Sequence, residues 1–322
     1  MLATLDLSIV IPLLNENESI KPLHEWILSA LKTSNFKYEI LFIDDGSTDG
    51  SWELIEQLTK DHENTHGLSF SRNFGKSQAL HAGFNIASGD YIVTIDADLQ
   101  DSPDEIPQMI ASLKEGNLDL ISGWKKKRFD SIIFKNIPSK LFNWAARKVS
   151  GIRLHDFNCG IKAYRKEVIK TIDVYGEMHR YIPVLAANAG FKKIGEQIVK
   201  HQARKFGNTK FGVDRFFKGF LDLITLWFIN RFGKSPMHFF GLLGTLLLLF
   251  GFIFTTYLGI NKLYIDTSGR LITSRPEFYI ALTLMIIGTQ FFIAGFLGEI
   301  MSRMQSKKKR YIITTNTKKN EN

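Results

Sequence analysis

Cysteine is almost absent from this chain of 322 residues, in which Cys159 is the only one. A single thiol cannot form an internal disulfide, which excludes a disulfide-stapled scaffold and fits a reducing compartment. Charged residues make up 23% of the sequence and hydrophobic residues 44%, so the composition also excludes intrinsic disorder and collagen-like structure. The length suffices for one large domain with attachments or for two small domains.

Two common phosphate-binding loops are missing as well. No G-x-G-x-x-G follows the first predicted strand, and no G-x-x-x-x-G-K-[ST] occurs in the chain. These absences argue against a dinucleotide-binding Rossmann domain and against a P-loop ATPase. We also expect no signal peptide, because the apolar run 7–14 is too short and contains Pro12.

Positive charge exceeds negative charge, with 41 Lys and Arg against 32 Asp and Glu, for a net charge of +9. This balance predicts an anionic partner, which could be nucleic acid, anionic lipid or a phosphorylated substrate. The basic residues cluster around two apolar segments near the C-terminus, which favours an anionic lipid membrane and argues against nucleic acid.

Those two segments, 239–260 and 278–298, contain no charged residue. Each is long enough to cross a bilayer core of about 30 Å, and the alternative is a buried helical hairpin in a soluble protein. Basic residues flank the pair on both outer sides, whereas the loop 261–277 has only three. The positive-inside rule therefore predicts a multi-pass protein of the cell (inner or plasma) membrane, with both termini cytoplasmic and this loop external.

The predicted organisation has four parts. A cytoplasmic domain covers residues 1–213, and a two-helix transmembrane hairpin covers 236–301. Residues 214–235 form either an amphipathic interfacial segment or an ordinary packing helix. Residues 302–322 are a basic cytoplasmic tail, whose Lys- and Asn-rich part, 307–322, we expect to be disordered.

Strand-like and helix-like stretches alternate along the first domain. This alternation predicts an α/β, Rossmann-like fold with a parallel sheet and helices on both faces. The predicted strands are 7–11, 38–43, 66–70, 91–95 and 118–122. The predicted helices are 17–33, 51–60, 76–87 and 104–114.

Acidic residues follow two of these strands, at the edge where such sheets bind ligands. Asp96 and Asp98 stand one residue apart after the fourth strand, an arrangement that suits Mg²⁺ or Mn²⁺ bridging to substrate phosphates. A solvated turn is the alternative. Asp44 and Asp45 follow the second strand and could instead form an Asx-type turn into the next helix.

Colinear segments spanning residues 5–300 carry a more specific signal. They are IVIPLLNENESI, EILFIDDGSTDGS, RNFGKSQAL, GDYIVTIDADLQDSPDEIP, HDFNCGIKAYR, HRYIPVLAANAGF and HQARKFGNTKFG. Together they resemble glycosyltransferase family 2 enzymes of the polyprenyl-phosphate sugar synthase type, related to dolichyl-phosphate mannose synthase. The resemblance implies a GT-A fold and inverting transfer of a sugar from a nucleoside diphosphate sugar to undecaprenyl or dolichyl phosphate, on the cytoplasmic face.

The resemblance also implies residue roles. The positions expected to hold the nucleotide sugar are Pro12, Leu14, Glu16, Ile43, Asp45, Asp96, Ala97 and Lys125. Asp96, Asp98 and Gln100 match a metal and diphosphate site, where Mg²⁺ or Mn²⁺ would stabilise the leaving diphosphate. Arg128, His179 and Arg180 are expected on the acceptor side. Asp98, Asp156 and Arg204 are the predicted catalytic residues.

Several of these roles have alternatives. Arg204 matches an arginine that contacts the donor diphosphate, but it could instead touch lipid headgroups. The stretch 125–128 could be a solvated basic loop. Asp156 could act as a base, orient the acceptor or be structural, because a phosphate acceptor with a second pKa of about 6 is already largely ionised at neutral pH. Cys159 is expected to be a small packing residue.

The same residues also bear on three competing functions. A processive polysaccharide synthase would carry Q-x-x-R-W and more spans, whereas this chain has Gln202-Ala203-Arg204-Lys205 and two. Transfer to another lipid is a second alternative. A non-catalytic nucleotide-sugar sensor or flippase partner is disfavoured by the presence of Asp98 and Gln100. Two spans per chain are compatible with a homo-oligomer.

Overall fold

The computed structural model describes residues 5–126, 143–144, 146–148, 150–176, 178–202, 225, 228, 231–232, 235–265, 269, 271–303 and 313–316. Two predicted site residues, Arg128 and Arg204, and most of the segment 214–235 lie outside these ranges. The chain divides into two compact units. One unit comprises Met1–Leu223 and Lys309–Asn322, and the other comprises Ile224–Lys308.

Within the described residues of the first unit, eight strands form one mixed sheet. They are β1 (Leu7–Leu13), β2 (Tyr38–Asp44), β3 (Thr65–Phe70), β4 (Tyr91–Thr94), β5 (Leu120–Trp124), β6 (Lys162–Arg165), β7 (Ile194–Ile198) and β8 (Ile313–Asn316). Their order is β7-β5-β6-β4-β1-β2-β3-β8. The helices are α1 (Asn17–Leu31), α2 (Ser51–Asp61), α3 (Lys76–Ile86), α4 (Ile106–Glu115), α5 (Lys166–Thr171) and α6 (Ile182–Asn188).

The strand directions confirm the Rossmann-like α/β class and add one feature. Strands β4, β1, β2 and β3 are parallel, as the alternation of strands and helices predicts. Strand β6 lies antiparallel between β4 and β5, and β7 then pairs parallel with β5. On this side of the sheet β6 is therefore the one strand of opposite direction, and it lies next to β4, the strand that the acidic pair follows.

Alternation along β1 explains why the sheet has two cores. All seven residues of β1 are buried, which is typical of a central strand covered on both faces. Ile9 and Ile11 contact one core, which also holds Ile20 and Leu23 of α1. Val10, which points the other way, contacts the second core with residues of α3, α5 and α6.

The prediction of a disordered tail is wrong for Ile313–Asn316, which form β8. This strand pairs antiparallel with β3, with Leu68 opposite Asn316 and Phe70 opposite Ile313. An edge strand such as β3 presents unpaired N–H and C=O groups, and another segment that can adopt an extended conformation satisfies them. The β-branched residues of the sequence Ile-Thr-Thr favour that conformation.

The second unit contains two long apolar helices, α7 (Pro236–Ile260) and α8 (Pro276–Arg303). By length and composition both can cross a membrane. Their large side chains, such as Leu242 at 63% and Ile253 at 65%, are exposed rather than covered by protein. A helix of a soluble core would bury such residues, so these helices are candidate membrane spans.

Candidate active site

A cavity of about 300 Å³ lies beyond the carboxyl ends of β1, β2 and β4. Parallel strands bring these ends to one edge of the sheet, so distant segments of the chain meet there. The described residues that line the cavity are Pro12, Leu13, Leu14, Glu16, Asp45, Asn73, Gly75, Lys76, Ala79, Asp96, Ala97 and Asp98. All the predicted donor-site residues except Ile43 and Lys125 are among them.

The end of β2 separates structural from cavity-facing residues. Ile43 is fully buried in the core on the α3 side of the sheet and does not line the cavity. Asp44 accepts hydrogen bonds from the amide of Ser47 (3.0 Å) and from the hydroxyl of Ser69 (3.0 Å), so it supports the turn after the strand. Asp45, the next residue, faces the cavity.

Asp45 also fixes the loop before α3. Its Oδ1 accepts a hydrogen bond from the amide of Phe74 at 2.7 Å, and its Oδ2 accepts one from the amide of Gly75 at 2.9 Å. Burial raises the pKa of the Asp45 carboxyl, although these two amide contacts act in the opposite direction. The carboxylate thereby holds the cavity wall formed by Asn73, Gly75 and Lys76 against the end of β2.

The acidic segment after β4 forms the opposite wall. Oδ1 of Asp96 lies 2.5 Å from Nζ of Lys76. Burial alone would raise the pKa of Asp96, but the neighbouring ammonium of Lys76, with those of Lys125 and Lys162, lowers it to about 2. Asp96 is therefore a carboxylate at neutral pH.

A sharp bend follows Asp98. Leu99 is buried with φ of +59°, a left-handed conformation that is uncommon for a residue with a side chain. The bend lets the amide of Gln100 donate to Oδ1 of Asp98 at 3.2 Å. Asp98 and Gln100 are both half-buried, and Asp98 lines the cavity whereas Gln100 does not.

Lys125 lies behind this segment instead of in the cavity. Its ammonium is 2.7 Å from Oδ1 of Asp101, whose side chain has no exposed surface. Burial works against the charged form of Lys125, but Asp101 outweighs it and raises the pKa of the lysine. Lys125 therefore belongs to a buried ion pair with Asp101, the residue that directly follows the Asp96–Gln100 segment.

Backbone contacts bring the segment before Arg204 to the same place. The amide of Gln202 donates to the carbonyl of Gln100 at 2.9 Å, and His201 forms a β-bridge with Asp101.

Asp156 is 1% exposed, and its Oδ1 accepts from the amide of Asn158 at 3.0 Å. Asp156 thus lies in the turn that precedes β6, outside the lining of the 300 Å³ cavity.

A second cavity, of about 110 Å³, adjoins the first, and Lys76 and Asp96 line both. Its other lining residues are Leu80, Thr94, Phe157, Asn158, Cys159, Gly160, Lys162, Tyr164, His179, Arg180 and Ile182. The structure thus brings the predicted acceptor residues His179 and Arg180 next to the acidic segment. Cys159 is buried, and burial raises the pKa of its thiol.

His179 is held by Ser77 at the N-terminal end of α3. Its Nδ1 lies 3.1 Å from Oγ of Ser77, and its amide donates to the same oxygen at 3.0 Å. Burial, together with the charges of Lys76 and Arg180, holds the pKa of His179 well below its usual value. The imidazole is therefore neutral at neutral pH.

Comparison with known proteins identifies the family. The model of glycosyl transferase family 2 matches residues 8–173 of the chain. Dodecaprenyl-phosphate galacturonate synthase from Rhizobium johnstonii is 36% identical over 306 residues, which cover 93% of this chain and 88% of the relative. The chain belongs to glycosyltransferase family 2. It is accordingly a transferase with a GT-A-like sheet.

One further relative and one solved structure are similar to this family 2 glycosyltransferase. Undecaprenyl-phosphate 4-deoxy-4-formamido-L-arabinose transferase from Yersinia pestis is 34% identical over 302 residues, covering 92% of this chain and 88% of the relative. Glucosyl-3-phosphoglycerate synthase from Mycobacterium tuberculosis, solved with uridine diphosphate, has a TM-score of 0.53 and 21% identity. The match covers 71% of this chain and 80% of that one. This second likeness supports the fold.

Sequence reasoning assigned no role to Lys76 or Lys162 of the glycosyltransferase, although each lies in a segment that carries the resemblance. Lys76 occurs in RNFGKSQAL, and Lys162 occurs in HDFNCGIKAYR. The amino-acid sequence of neither segment indicates which of its residues faces a cavity. The loop geometry set by Asp45 and the antiparallel insertion of β6 provide that information.

Proposed function

We propose that this glycosyltransferase moves a sugar from a nucleoside diphosphate sugar to a polyprenyl phosphate. The observation that carries the proposal is the 300 Å³ cavity, where Asp45, Asp96 and Asp98 meet at one sheet edge. A likeness of 34% to 36% over nearly the whole chain to two polyprenyl-phosphate sugar transferases supports the choice of acceptor. In this proposal the donor occupies that cavity and the acceptor approaches past Asp96.

A divalent cation, Mg²⁺ or Mn²⁺, fits the donor set of this cavity. Asp96 and Asp98 present carboxylates, and among the described residues no cluster of three or more His, Cys, Asp or Glu side chains forms a closed metal cage. One or two carboxylates completed by substrate phosphates and water are the usual protein environment of Mg²⁺. The glucosyl-3-phosphoglycerate synthase neighbour has been solved with Mn²⁺ and uridine diphosphate. When bound, the cation supplies electrostatic stabilisation of the leaving diphosphate.

The described residues of the cavity can hold the cation and recognise the donor base. Asp96 and Asp98, which line the cavity, would hold the cation, and Gln100, which does not line it, would position Asp98 through its amide. Asp45 would accept a hydrogen bond from the donor base, and Glu16 lines the same cavity. A polyprenyl phosphate is already largely ionised at neutral pH, so it can attack without a strong general base. We therefore assign Asp156, which is buried in a turn, an orienting role for the segment that carries the second cavity.

The apolar hairpin would place this chemistry at a membrane. A polyprenyl acceptor presents its phosphate at headgroup level, and α7 and α8 expose the apolar surface that a bilayer covers. Basic residues outside the two spans support a cytoplasmic catalytic domain at the cell membrane. Their positive charge also favours contact with anionic lipid.

Labelling of single cysteines tests this topology. In a Cys159→Ala background, Ser268→Cys should react in intact cells with a thiol reagent that does not cross membranes. Ser306→Cys should react only after the cells are opened. The opposite pattern would place the catalytic domain on the external side and contradict the proposal.

The activity itself is tested by incubating membranes with a panel of radiolabelled nucleotide sugars and extracting labelled lipid. One sugar should appear in a lipid that mild acid cleaves to free sugar, as a sugar phosphodiester of a polyprenol would be. EDTA should abolish the label, and added Mg²⁺ or Mn²⁺ should restore it. Asp98→Ala should abolish it too, whereas Asp61→Ala, an exposed carboxylate on α2, should leave it unchanged. Label found only in polysaccharide or in another lipid would redirect the acceptor assignment.

A further inference from the structure

Glu196 of β7 lies outside the segments that carry the family resemblance, yet its carboxylate makes three contacts with one distant turn. It stands opposite Ser122 in the pairing of β7 with β5, and only 12% of its side chain is exposed. Its Oε1 accepts hydrogen bonds from two consecutive amides, those of His155 at 2.7 Å and Asp156 at 3.1 Å. Its Oε2 lies 2.6 Å from Nδ1 of His155.

The turn 155–158 depends on such a partner. It precedes β6 and forms neither a helix nor a strand, so its amides have no partners in a helix or a sheet ladder. A buried backbone N–H without an acceptor destabilises a fold, and Asp156 is 1% exposed. A carboxylate oxygen has two acceptor sites, so Oε1 of Glu196 can bind both amides. The place of the turn is therefore set by where β7 puts this side chain.

The imidazole of His155 is held from a second direction. Trp124, the last residue of β5, stacks on it with the ring centroids 4.1 Å apart and the planes inclined by 13°. The His155 side chain is 59% exposed, and exposed side chains ordinarily change rotamer within nanoseconds. Here the face of the ring and its Nδ1 both have partners. Strands β5 and β7 together fix the first residue of the turn.

The other end of the turn leads directly into the wall of the 110 Å³ cavity. Oδ1 of Asp156 accepts from the amide of Asn158, and the carbonyl of Gly160 accepts from the hydroxyl of Thr94 at 3.0 Å. Residues Phe157, Asn158, Cys159 and Gly160 line this cavity, and none of them is among the described residues that line the 300 Å³ donor cavity. A shift of the turn would therefore move the wall of one cavity and leave the lining of the other in place.

We propose that Glu196 is a positioning residue for sugar transfer, which holds Asp156 and the wall 157–160 in place through its contacts with the turn. The inference rests on the proposed function, because sugar transfer is the reaction that this wall serves. Glu196 is not among the described residues that line either cavity, so it acts through the turn and not on a substrate. A displacement of about 1 Å can slow an enzymatic reaction about a hundredfold.

Three substitutions separate the position of the acceptor oxygen from the charge. Glu196→Gln keeps one carbonyl oxygen, and both amides bind a single oxygen in the wild type, so this variant should keep both hydrogen bonds. Glu196→Asp keeps the charge but is shorter by one methylene, about 1.5 Å. Glu196→Ala keeps neither. Glu115→Ala, which changes an exposed glutamate at the end of α4, is the matched control.

Hydrogen–deuterium exchange of the full chain in detergent, measured by mass spectrometry on peptides that cover 154–158, reports whether the turn is held. Exchange at His155 and Asp156 should become faster in Glu196→Ala and Glu196→Asp and stay slow in the wild type, Glu196→Gln and the control.

The activity of the same variants is measured as transfer of labelled sugar to lipid. The kcat should fall at least about tenfold in Glu196→Ala and Glu196→Asp, and it should stay within about threefold of the wild type in Glu196→Gln. The KM for the donor should change less than about twofold in every variant, because the turn does not contribute to the donor cavity. A residue that only stabilised the fold would not produce this separation of kcat from KM.

The positioning role is overturned if exchange at the turn or kcat is unchanged in Glu196→Ala and Glu196→Asp. It is also overturned if Glu196→Gln loses as much kcat as Glu196→Ala, or if exchange becomes faster throughout the first unit. If Glu196→Ala does not fold, Glu196→Asp decides. A wild type that transfers no labelled sugar to lipid contradicts the proposed function instead, while the exchange comparison still shows whether Glu196 holds the turn.

Discussion

The ammonium of Lys76 lies 2.5 Å from Oδ1 of Asp96, and this pair forms part of the wall between the two cavities. Asp96 is also a proposed ligand of the divalent cation. A lysine ammonium and a metal ion that contact the same carboxylate oxygen each weaken the other's electrostatic attraction to it, since each neutralises its charge. Lys76 therefore competes with the cation until the metal binds.

Removing this competitor should tighten metal binding. In Lys76→Met the affinity for Mn²⁺ in the absence of substrate should rise several-fold, because Asp96 keeps a full negative charge with no local counter-ion. Electron paramagnetic resonance of free Mn²⁺ measures this affinity in a titration. Lys193→Met should bind Mn²⁺ like the wild type. An unchanged affinity in Lys76→Met would mean that the metal does not use Asp96.

Gly160 sets the position of the same carboxylate. A Cβ at this residue would lie 2.6 Å from both Cγ and Oδ2 of Asp96, which is closer than real contacts allow. Gly160→Ala should therefore push Asp96 out of place and lower kcat/KM for sugar transfer about tenfold or more. Its cost in stability should stay near 1–3 kcal/mol, the usual range for overpacking. Gly259→Ala, where nothing lies within 4 Å, is the control, and equal activity of the two variants would contradict the packing argument.

His24 of α1 makes the stability of the first unit depend on pH. Burial, with a smaller contribution from His62, lowers the pKa of His24 from 6.5 to about 4, and its Nε2 lies 2.9 Å from the hydroxyl of Thr65. As pH falls, His24 takes up a proton near pH 6.5 in the unfolded chain but only near pH 4 in the folded chain. Stability from the neutral ring is therefore fully present above that range and is lost as pH falls through it, by up to about 1.4 kcal/mol per pH unit.

Thermal unfolding of the full chain in detergent between pH 4.5 and 7 measures this effect. Wild-type Tm should fall with pH more steeply than that of His24→Gln, which has no titrating ring at this position. Parallel pH curves for the two proteins would show that another group is responsible.

Residue patterns predicted the central sheet well because the parallel strands are buried on both faces. Runs such as 7–11 and 38–43 are apolar except for one polar residue each, Ser8 and Glu39, and the acidic residues after β2 and β4 meet because parallel strands end at one edge. The pattern in α1, where Ile20, Leu23 and Ile27 are buried, follows the helical period. These features depend on local sequence alone.

The second cavity could not be predicted in this way. It depends on β6 running antiparallel between β4 and β5, and β6 has four residues and no strong strand pattern of its own. Pairing with neighbours distant in sequence determines that Lys162 lies opposite Thr94 and is buried. Strand β8 is a similar case, because its four residues form a strand only against the free edge of β3.

The hairpin of α7 and α8 depends on glycines at the contact between the helices. A Cβ at Gly288 would lie 2.7 Å from the carbonyl of Gly244 and from the amide of Leu248. Small residues let helix backbones approach closely where lipid offers no hydrophobic driving force. Gly288→Leu should therefore force the helices apart and destabilise the hairpin by about 1–3 kcal/mol.

Unfolding by sodium dodecyl sulfate, followed by far-ultraviolet circular dichroism, measures this loss. Gly259→Leu introduces the same side chain at a position with no neighbour within 4 Å, so it should unfold like the wild type. Equal loss in both variants would show that the loss does not arise from the close contact at Gly288, because leucine favours a helix more than glycine does.

Arg204 lies outside the described residues but follows Gln202 by two positions. The amide of Gln202 donates to the carbonyl of Gln100 at 2.9 Å, so the chain passes the acidic segment just before Arg204.

If the guanidinium of Arg204 clamps the donor diphosphate as charge develops during bond cleavage, removing it loses a charged contact of roughly 1.5–3 kcal/mol. Arg204→Ala should then lower kcat/KM at least about tenfold, because about 1.4 kcal/mol corresponds to one decade. Arg204→Lys should restore activity only in part, since an ammonium keeps the charge but loses the planar fork. Kinetics of both variants in detergent with a short-chain acceptor separate this clamp from a contact with lipid headgroups, which predicts a small effect and full rescue by lysine.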